Sequence, residues 1–204
     1  MMRPRTLLLA LAALSLAGCV TLFPKNKPAQ LYRFGESLAA AASAAPRAPA
    51  TGAVGVHWLD GAFQQEAAGD RILTVTGDKA AYIGEARWVA AAETLFDEAA
   101  AAAFDGSGGH VRLASHGAPT TADFALRLDV REFETRYAAE GRSPTVLVRV
   151  HATLTRGRAP AADQMFEAAV PASENRVTAI AAAYDKAVTE VLTQVVAWTN
   201  AKTV

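Results

Sequence analysis

The sequence predicts an α+β fold, a two-layer sandwich whose mainly antiparallel sheet carries two amphipathic helices packed on one face. Three observations lead there. Two long stretches, Asp123–Tyr137 and Thr145–Leu154, alternate apolar and polar residues as half-buried strands do. Two others, Trp88–Ala103 and Val177–Trp198, repeat apolar residues at helical spacing on one side only. The alternate strand positions are charged, so one sheet face packs against helices and the other is left open. With 204 residues, 51% of them hydrophobic, the chain can bury one sizeable core.

Taken in order, the first element is not part of that core. "MMRPRTLLLALAALSLAG" has Arg3 and Arg5, a short apolar run, then small residues, the layout of a secretory signal peptide. The run from Leu7 to Leu16 is about half the roughly 20 residues a membrane-spanning helix needs. Leu16, Ala17 and Gly18 before Cys19 resemble the bacterial lipobox, in which the cysteine sulfur takes a lipid and the chain is cut just before it. Cys19 is the only cysteine, which leaves no thiol for a disulfide once it is acylated. One acyl chain binds a membrane marginally, whereas several on one residue make release negligible. The expected organisation is a signal peptide over 1–18, a lipid-anchored tether with a short strand and a flexible Ala/Pro-rich connector over 19–53, and a folded domain over 54–204. The residue after the cysteine is Val20 and not the aspartate associated with inner-membrane retention, which points to the outer membrane.

The sequence has 20 basic and 20 acidic residues, and removal of the two signal arginines leaves a net charge of −2. That balance provides no footprint for nucleic acid and no polybasic membrane patch. "LYRF", Leu31–Phe34, alternates as a short strand. The alanine-rich stretch after it, broken by Pro46, Pro49 and Gly52, reads as a loose connector with a helical turn near Leu38. Val54, Val56 and Trp58 share one strand face, and Arg71–Val75 forms a second strand closed by a turn at Gly77 and Asp78. From Arg87 the helical period begins and runs to Gly106, with Asp97 and Glu98 on its solvated side; a short strand follows at His110–Ala114. In the first long strand the phase slips between Val130 and Phe133, which requires a bulge near Arg131–Glu132. Gly141–Pro144 closes the hairpin to the second long strand. A third carries Phe166, Ala168 and Val170 inward, and Ser173 is the expected N-cap of the last helix.

A catalytic reading finds little. His57, His110, His116 and His151 show no metal-ligand spacing. Ser143 in "GRSPT" lacks the turn of a hydrolase nucleophile, and the glycines near Gly106 follow a helix instead of opening one. These residues predict no enzyme, no metal and no cofactor.

The lipobox, the "YRF" strand, Arg71-Ile72, Tyr82 and then Ala86-Arg87-Trp88 resemble the ABC-type transport auxiliary lipoprotein family, the paraquat-inducible protein C-like lipoproteins, with Val89 where alanine is usual. The resemblance implies an outer-membrane lipoprotein on the periplasmic side that works with an MCE-domain protein and an ABC permease and ATPase in lipid transport. It carries over no catalytic residues. Arg71, Ile72, Tyr82, Arg87 and Trp88 are read as seating the first helix on the sheet, because Trp88 lies on the apolar face. The open strand face with Arg127, Asp129, Arg149 and His151, and its rim at Arg131 and Tyr137, is the expected interface for self-association or for the MCE partner. A lipid carrier holding an acyl chain between sheet and helices is the alternative, and it needs an apolar cavity of several hundred Å³.

Overall fold

The computed structural model describes residues 28–45, 52–114, 122–139 and 141–204. The signal peptide, Leu16, Ala17, Gly18, Cys19 and His116 lie outside the described residues. Among those described the elements are β1 (Gln30–Tyr32), α1 (Glu36–Ala44), β2 (Val54–Leu59), β3 (Leu73–Thr76), β4 (Lys79–Tyr82), β5 (Ala86–Trp88), α2 (Ala92–Gly106), β6 (Val111–Ala114), β7 (Phe124–Tyr137), β8 (Thr145–Arg156), β9 (Ala159–Pro171) and α3 (Val177–Lys202).

The long alternating strands β7, β8 and β9 form an antiparallel meander, the largest part of the sheet. The second edge of β7 is shared. Its first residues pair parallel with β2, from Val56 opposite Phe124 to Leu59 opposite Arg127. Its last residues, Thr135–Tyr137, pair parallel with β3, and β4 folds back on β3 through a turn at Gly77, where φ is 61°. β6 extends the sheet beyond β2. The fold is therefore α+β with a mixed, mostly antiparallel sheet, and three helices pack against it rather than two.

Between β2 and β3 the backbone continues along β7 at the expected bulge. The register shifts between Val130 and Glu132, so Arg131 is the extra residue. Gln64 occupies the irregularity: its Oε1 accepts the Phe133 N–H at 2.7 Å, and its backbone N–H donates to the Val130 carbonyl at 2.9 Å. Val130 in turn donates to the Ala62 carbonyl at 2.8 Å. On the edge of β7 away from β8, where no regular strand lies at this point, the 62–64 segment thus supplies partners for the Val130 and Phe133 backbone groups.

The core forms where the inward faces of β7, β8 and β9 meet α3. Tyr184, Val188, Val191, Leu192 and Val195 are fully buried along the helix, as the stripe predicts. Phe34, Trp88, Phe133 and Tyr184 form an aromatic cluster, with centroids 5.0 Å apart for Phe34–Trp88 and 4.8 Å for Phe133–Tyr184. Each such pair contributes about 0.5–1.5 kcal/mol beyond its burial. The Tyr184 hydroxyl accepts a hydrogen bond from Thr135, and burial pushes its pKa far above the ordinary tyrosine range.

Several expectations are corrected. The first half of the connector, Glu36–Ala44, is a nine-residue helix, α1, held by buried Leu38, and Pro46 and Pro49 lie outside the described residues. Its approach to α2 depends on small residues: a Cβ on Gly35 would lie 2.8 Å from the Ala99 Cβ, and one on Gly106 would lie 3.0 Å from the Ala42 nitrogen. Arg87 and Trp88 do not open a helix. They form β5, paired parallel with β1, while α2 starts at Ala92. Trp88 fits a helical stripe because Ala92 lies four residues on, but its N–H donates to the Asp70 carbonyl. The second strand begins at Leu73, not Arg71, and the first covers Gln30–Tyr32. Ser173 is not the cap of α3. The cap position is Arg176, in extended conformation, with no side-chain hydrogen bond to the helix.

Candidate functional site

The open face of the meander arises from strand alternation alone. Outward residues align in rows across β7, β8 and β9: Arg127, Thr153 and Asp163; then Asp129, His151 and Met165; then Glu132, Arg149 and Glu167. The charges on these rows are paired with one another. Arg149 reaches Glu132 at 2.9 Å and Glu167 at 2.5 Å, and His151 lies 3.3 Å from Asp163. Exposed pairs of this kind contribute about 0–1 kcal/mol each, so they define a polar surface more than they hold the fold.

Asp129 departs from that picture. It was expected on an open surface, yet its side chain is only 3% exposed. Gly61 explains the difference, because it lies directly against the Leu128 carbonyl and brings the 60–63 segment over this part of β7. The Ala62 N–H donates to Asp129 Oδ1 at 2.9 Å, Arg127 donates to both carboxylate oxygens at 2.8 and 2.9 Å, and Arg131 donates to Oδ2 at 3.1 Å. The Arg127 hydrogen bond, helped by the Ala62 N–H and opposed by burial, holds the Asp129 carboxyl below its usual range. Its stabilisation is full above the ordinary aspartate pKa and is lost as pH falls through the lowered one. The structure therefore joins Arg127, Asp129 and Arg131 in one knot, with His151 opposite Asp129 in the same row and Arg149 in the next. Tyr137 stands apart at the far end of β7, donating to Asn175 at 2.9 Å.

The residues expected to seat the first helix lie around the segment that meets its N-terminus. Arg71 stacks on Tyr82 with its guanidinium 3.7 Å from the ring centre, and the Tyr82 hydroxyl donates to the Glu66 carbonyl at 3.0 Å. Ile72 is fully buried, and Arg87 lies 3.7 Å from Asp70. These contacts fix the segment whose Ala68 and Gly69 carbonyls accept the first N–H groups of α2, which has no side-chain cap.

The helical spacing alone places Asp97 on the solvated side of α2. Partial burial, then the nearby Glu93 and Asp60 carboxylates, push its pKa up to about 6. A carboxyl raised in the folded state stabilises the fold below about pH 4 and loses that contribution as pH rises through 6. Asp97→Asn should therefore raise stability at pH 7.5, by no more than about 1 kcal/mol given its solvent contact. The gain should vanish near pH 4, a difference that urea denaturation at the two pH values will measure. Among the described residues no group of three or more His, Cys, Asp or Glu is placed to hold a metal ion.

A second feature escaped the sequence reading. Between α1, α2 and α3 lies a half-open groove of about 540 Å³, lined by Leu38, Ala41, Ala103, Val196 and Ala197 with Ser37 and Asn200 among its polar residues. Among the described residues no charged side chain lines it. It is on the helical side, outside the sheet–helix interface where an acyl cavity was expected. Its third wall is α1, whose alanines carry no apolar stripe for a sequence pattern to find.

A family model for the ABC-type transport auxiliary lipoprotein component matches residues 37–196. The chain belongs to this family. The auxiliary lipoproteins are components of ABC-type transport systems, and their name implies association with such a system and a non-enzymatic role. The fold is shared with a Xanthomonas campestris protein assigned to family model DUF330, at TM-score 0.69 and 23% identity over 86% of this chain and 97% of that one. A hypothetical protein from Chlamydia trachomatis is also similar, at TM-score 0.54 and 12% identity over 74% and 97% of the two chains. No curated protein matches. Among the described residues no helix is long and apolar enough to cross a membrane.

Proposed function

We propose that this auxiliary lipoprotein is anchored through Cys19 to the periplasmic face of the outer membrane and serves an MCE/ABC-type lipid transport system without itself catalysing a reaction. Membership of the family across residues 37–196, combined with Leu16-Ala17-Gly18-Cys19, carries this reading. Val20 after the cysteine supports the outer membrane over the inner. The domain begins near β1, because Phe34 and Leu38 belong to its core, and this shortens the tether to about ten residues. The rows centred on His151 and Arg149 form the partner-facing or self-associating surface, with exposed Met165 as an apolar contact amid paired charges.

Cys19→Ala should lose both palmitate-analogue labelling and membrane attachment, and the precursor should stay uncut. Equal labelling of wild type and variant would remove the lipoprotein reading. Density fractionation of the wild type should place it with outer-membrane porins, and cross-linking should recover an MCE-domain protein. Met165→Asp should reduce that cross-linking severalfold without altering the melting profile. Arg127 is unsuited to such a test, because reversing its charge would place a second carboxylate against that of buried Asp129.

The helical groove favours a second reading, a carrier for a lipid acyl chain, since its volume falls in the ordinary range for small-molecule sites. Displacement of a fluorescent fatty acid, lost when Ala197→Phe fills the groove, would support the carrier. Absence of binding to the wild type would leave the docking role alone.

A further inference from the structure

The short parallel pair β1–β5 presents two unlike faces. Phe34, Ala86 and Trp88 point inward and are buried. Leu31 stands opposite Arg87 in the register, and the Val89 N–H donates to the Tyr32 carbonyl at 2.8 Å, so Leu31, Arg33, Arg87 and Val89 share the outer face. Leu31 is 65% exposed and Val89 47%, both high for large apolar side chains beside a filled core. The arginines on this face have partners that are themselves exposed, Glu98 at 2.6 Å from Arg33 and Asp70 at 3.7 Å from Arg87. Surface pairs of this kind are held weakly enough to exchange for another anion.

The position of this face along the chain supplies the occupant. Leu31 follows Cys19 by twelve residues, which span at most about 43 Å when fully extended. From Cys19 to Gly35 the sequence carries Lys25, Lys27 and Arg33 and no acidic residue. An apolar pair flanked by cations, at the end of a basic tether leading to a lipid anchor, has the chemistry of a second membrane contact.

We propose that the outer face of β1–β5 rests on a lipid surface carrying anionic headgroups, with Leu31 and Val89 entering the interfacial layer and Arg33 and Arg87 meeting headgroup phosphates. This rests on the reading of Cys19 as the lipid anchor. The contact is too small to recruit a free protein. Tethering raises its effective concentration to the millimolar range, where a weak contact is occupied. The domain is then oriented on the membrane instead of swinging at the end of its tether.

The test uses the mature chain, 19–204, coupled through its single thiol to a maleimide lipid in nanodiscs of phosphatidylethanolamine with a minority of phosphatidylglycerol. A gadolinium-chelating headgroup lipid then broadens nearby methyl resonances. The Leu31 and Val89 methyls should broaden about fivefold faster than those of Leu59 and Met165, as a held contact requires. Leu31→Ser with Val89→Ser, followed at the Ala86 methyl of β5, should erase the contrast, and phosphatidylcholine nanodiscs should reduce it. Uniform broadening, or a maximum on another face, would overturn the proposal, as would an undiminished contrast in phosphatidylcholine. Broadening of the same methyls by a spin-labelled second copy without nanodiscs would assign the face to self-association and also overturn it. Chemical coupling separates this result from the cellular one, because absence of palmitate labelling would remove the lipoprotein reading and leave these spectra unchanged.

Discussion

Gly61→Ala should cost about 3–5 kcal/mol of unfolding free energy, the upper range for a single substitution. A Cβ at this position would sit 1.7 Å from the Leu128 carbonyl oxygen and 2.5 Å from its carbon, and backbone on a central strand cannot yield as a side chain can. Relief requires the 60–64 segment to lift from β7. That would break the Ala62 N–H bond to Asp129, the Val130 N–H bond to Ala62 and the Gln64 N–H bond to Val130. It would also leave a carboxylate that is now shielded from water with one partner fewer. Urea denaturation of the chain lacking residues 1–18 gives the measurement. A control at Gly69, where a Cβ meets nothing within 4 Å, should stay within about 0.5 kcal/mol of wild type. A Gly61 variant as stable as that control would mean the segment does not run against β7.

Val191→Asp should be at least as damaging, about 4 kcal/mol or more, and should prevent accumulation of folded domain at 37 °C. Val191 is fully buried midway along α3, and its neighbours on the stripe, Val188, Leu192 and Val195, are fully buried too. An aspartate there must ionise in an apolar setting without a partner or take up a proton at the cost of a raised pKa. Glu190 is exposed one residue away, so Glu190→Ala should change stability by less than about 0.5 kcal/mol. Circular dichroism melting of the pair tests the rotational setting of the helix, and equal melting of Val191→Asp and wild type would show that the stripe does not face the sheet.

What the sequence determined by itself is the part of the molecule written in long periodic runs. The alternation in β7, β8 and β9, the stripe of α3 and the phase slip at Arg131 each repeat over enough residues to admit one geometry. The candidate anchor is legible for a similar reason, since Leu16-Ala17-Gly18-Cys19 is a contiguous pattern whose chemistry needs no partner from elsewhere in the chain. Tertiary structure decided the short elements. Gln30–Tyr32 and Ala86–Trp88 become strands only because each supplies the other's backbone partners across more than fifty residues of sequence. Residues 36–44 become a packed helix because Gly35, Ala42, Ala99 and Gly106 leave room for two backbones to approach, a complementarity that no local period records. The burial of Asp129 has the same origin. Its alternation places it outward, and the passage of Gly61 over the neighbouring Leu128 carbonyl encloses it. Local patterns state which way a side chain points from its own element, whereas what finally covers it depends on distant segments brought together by the core.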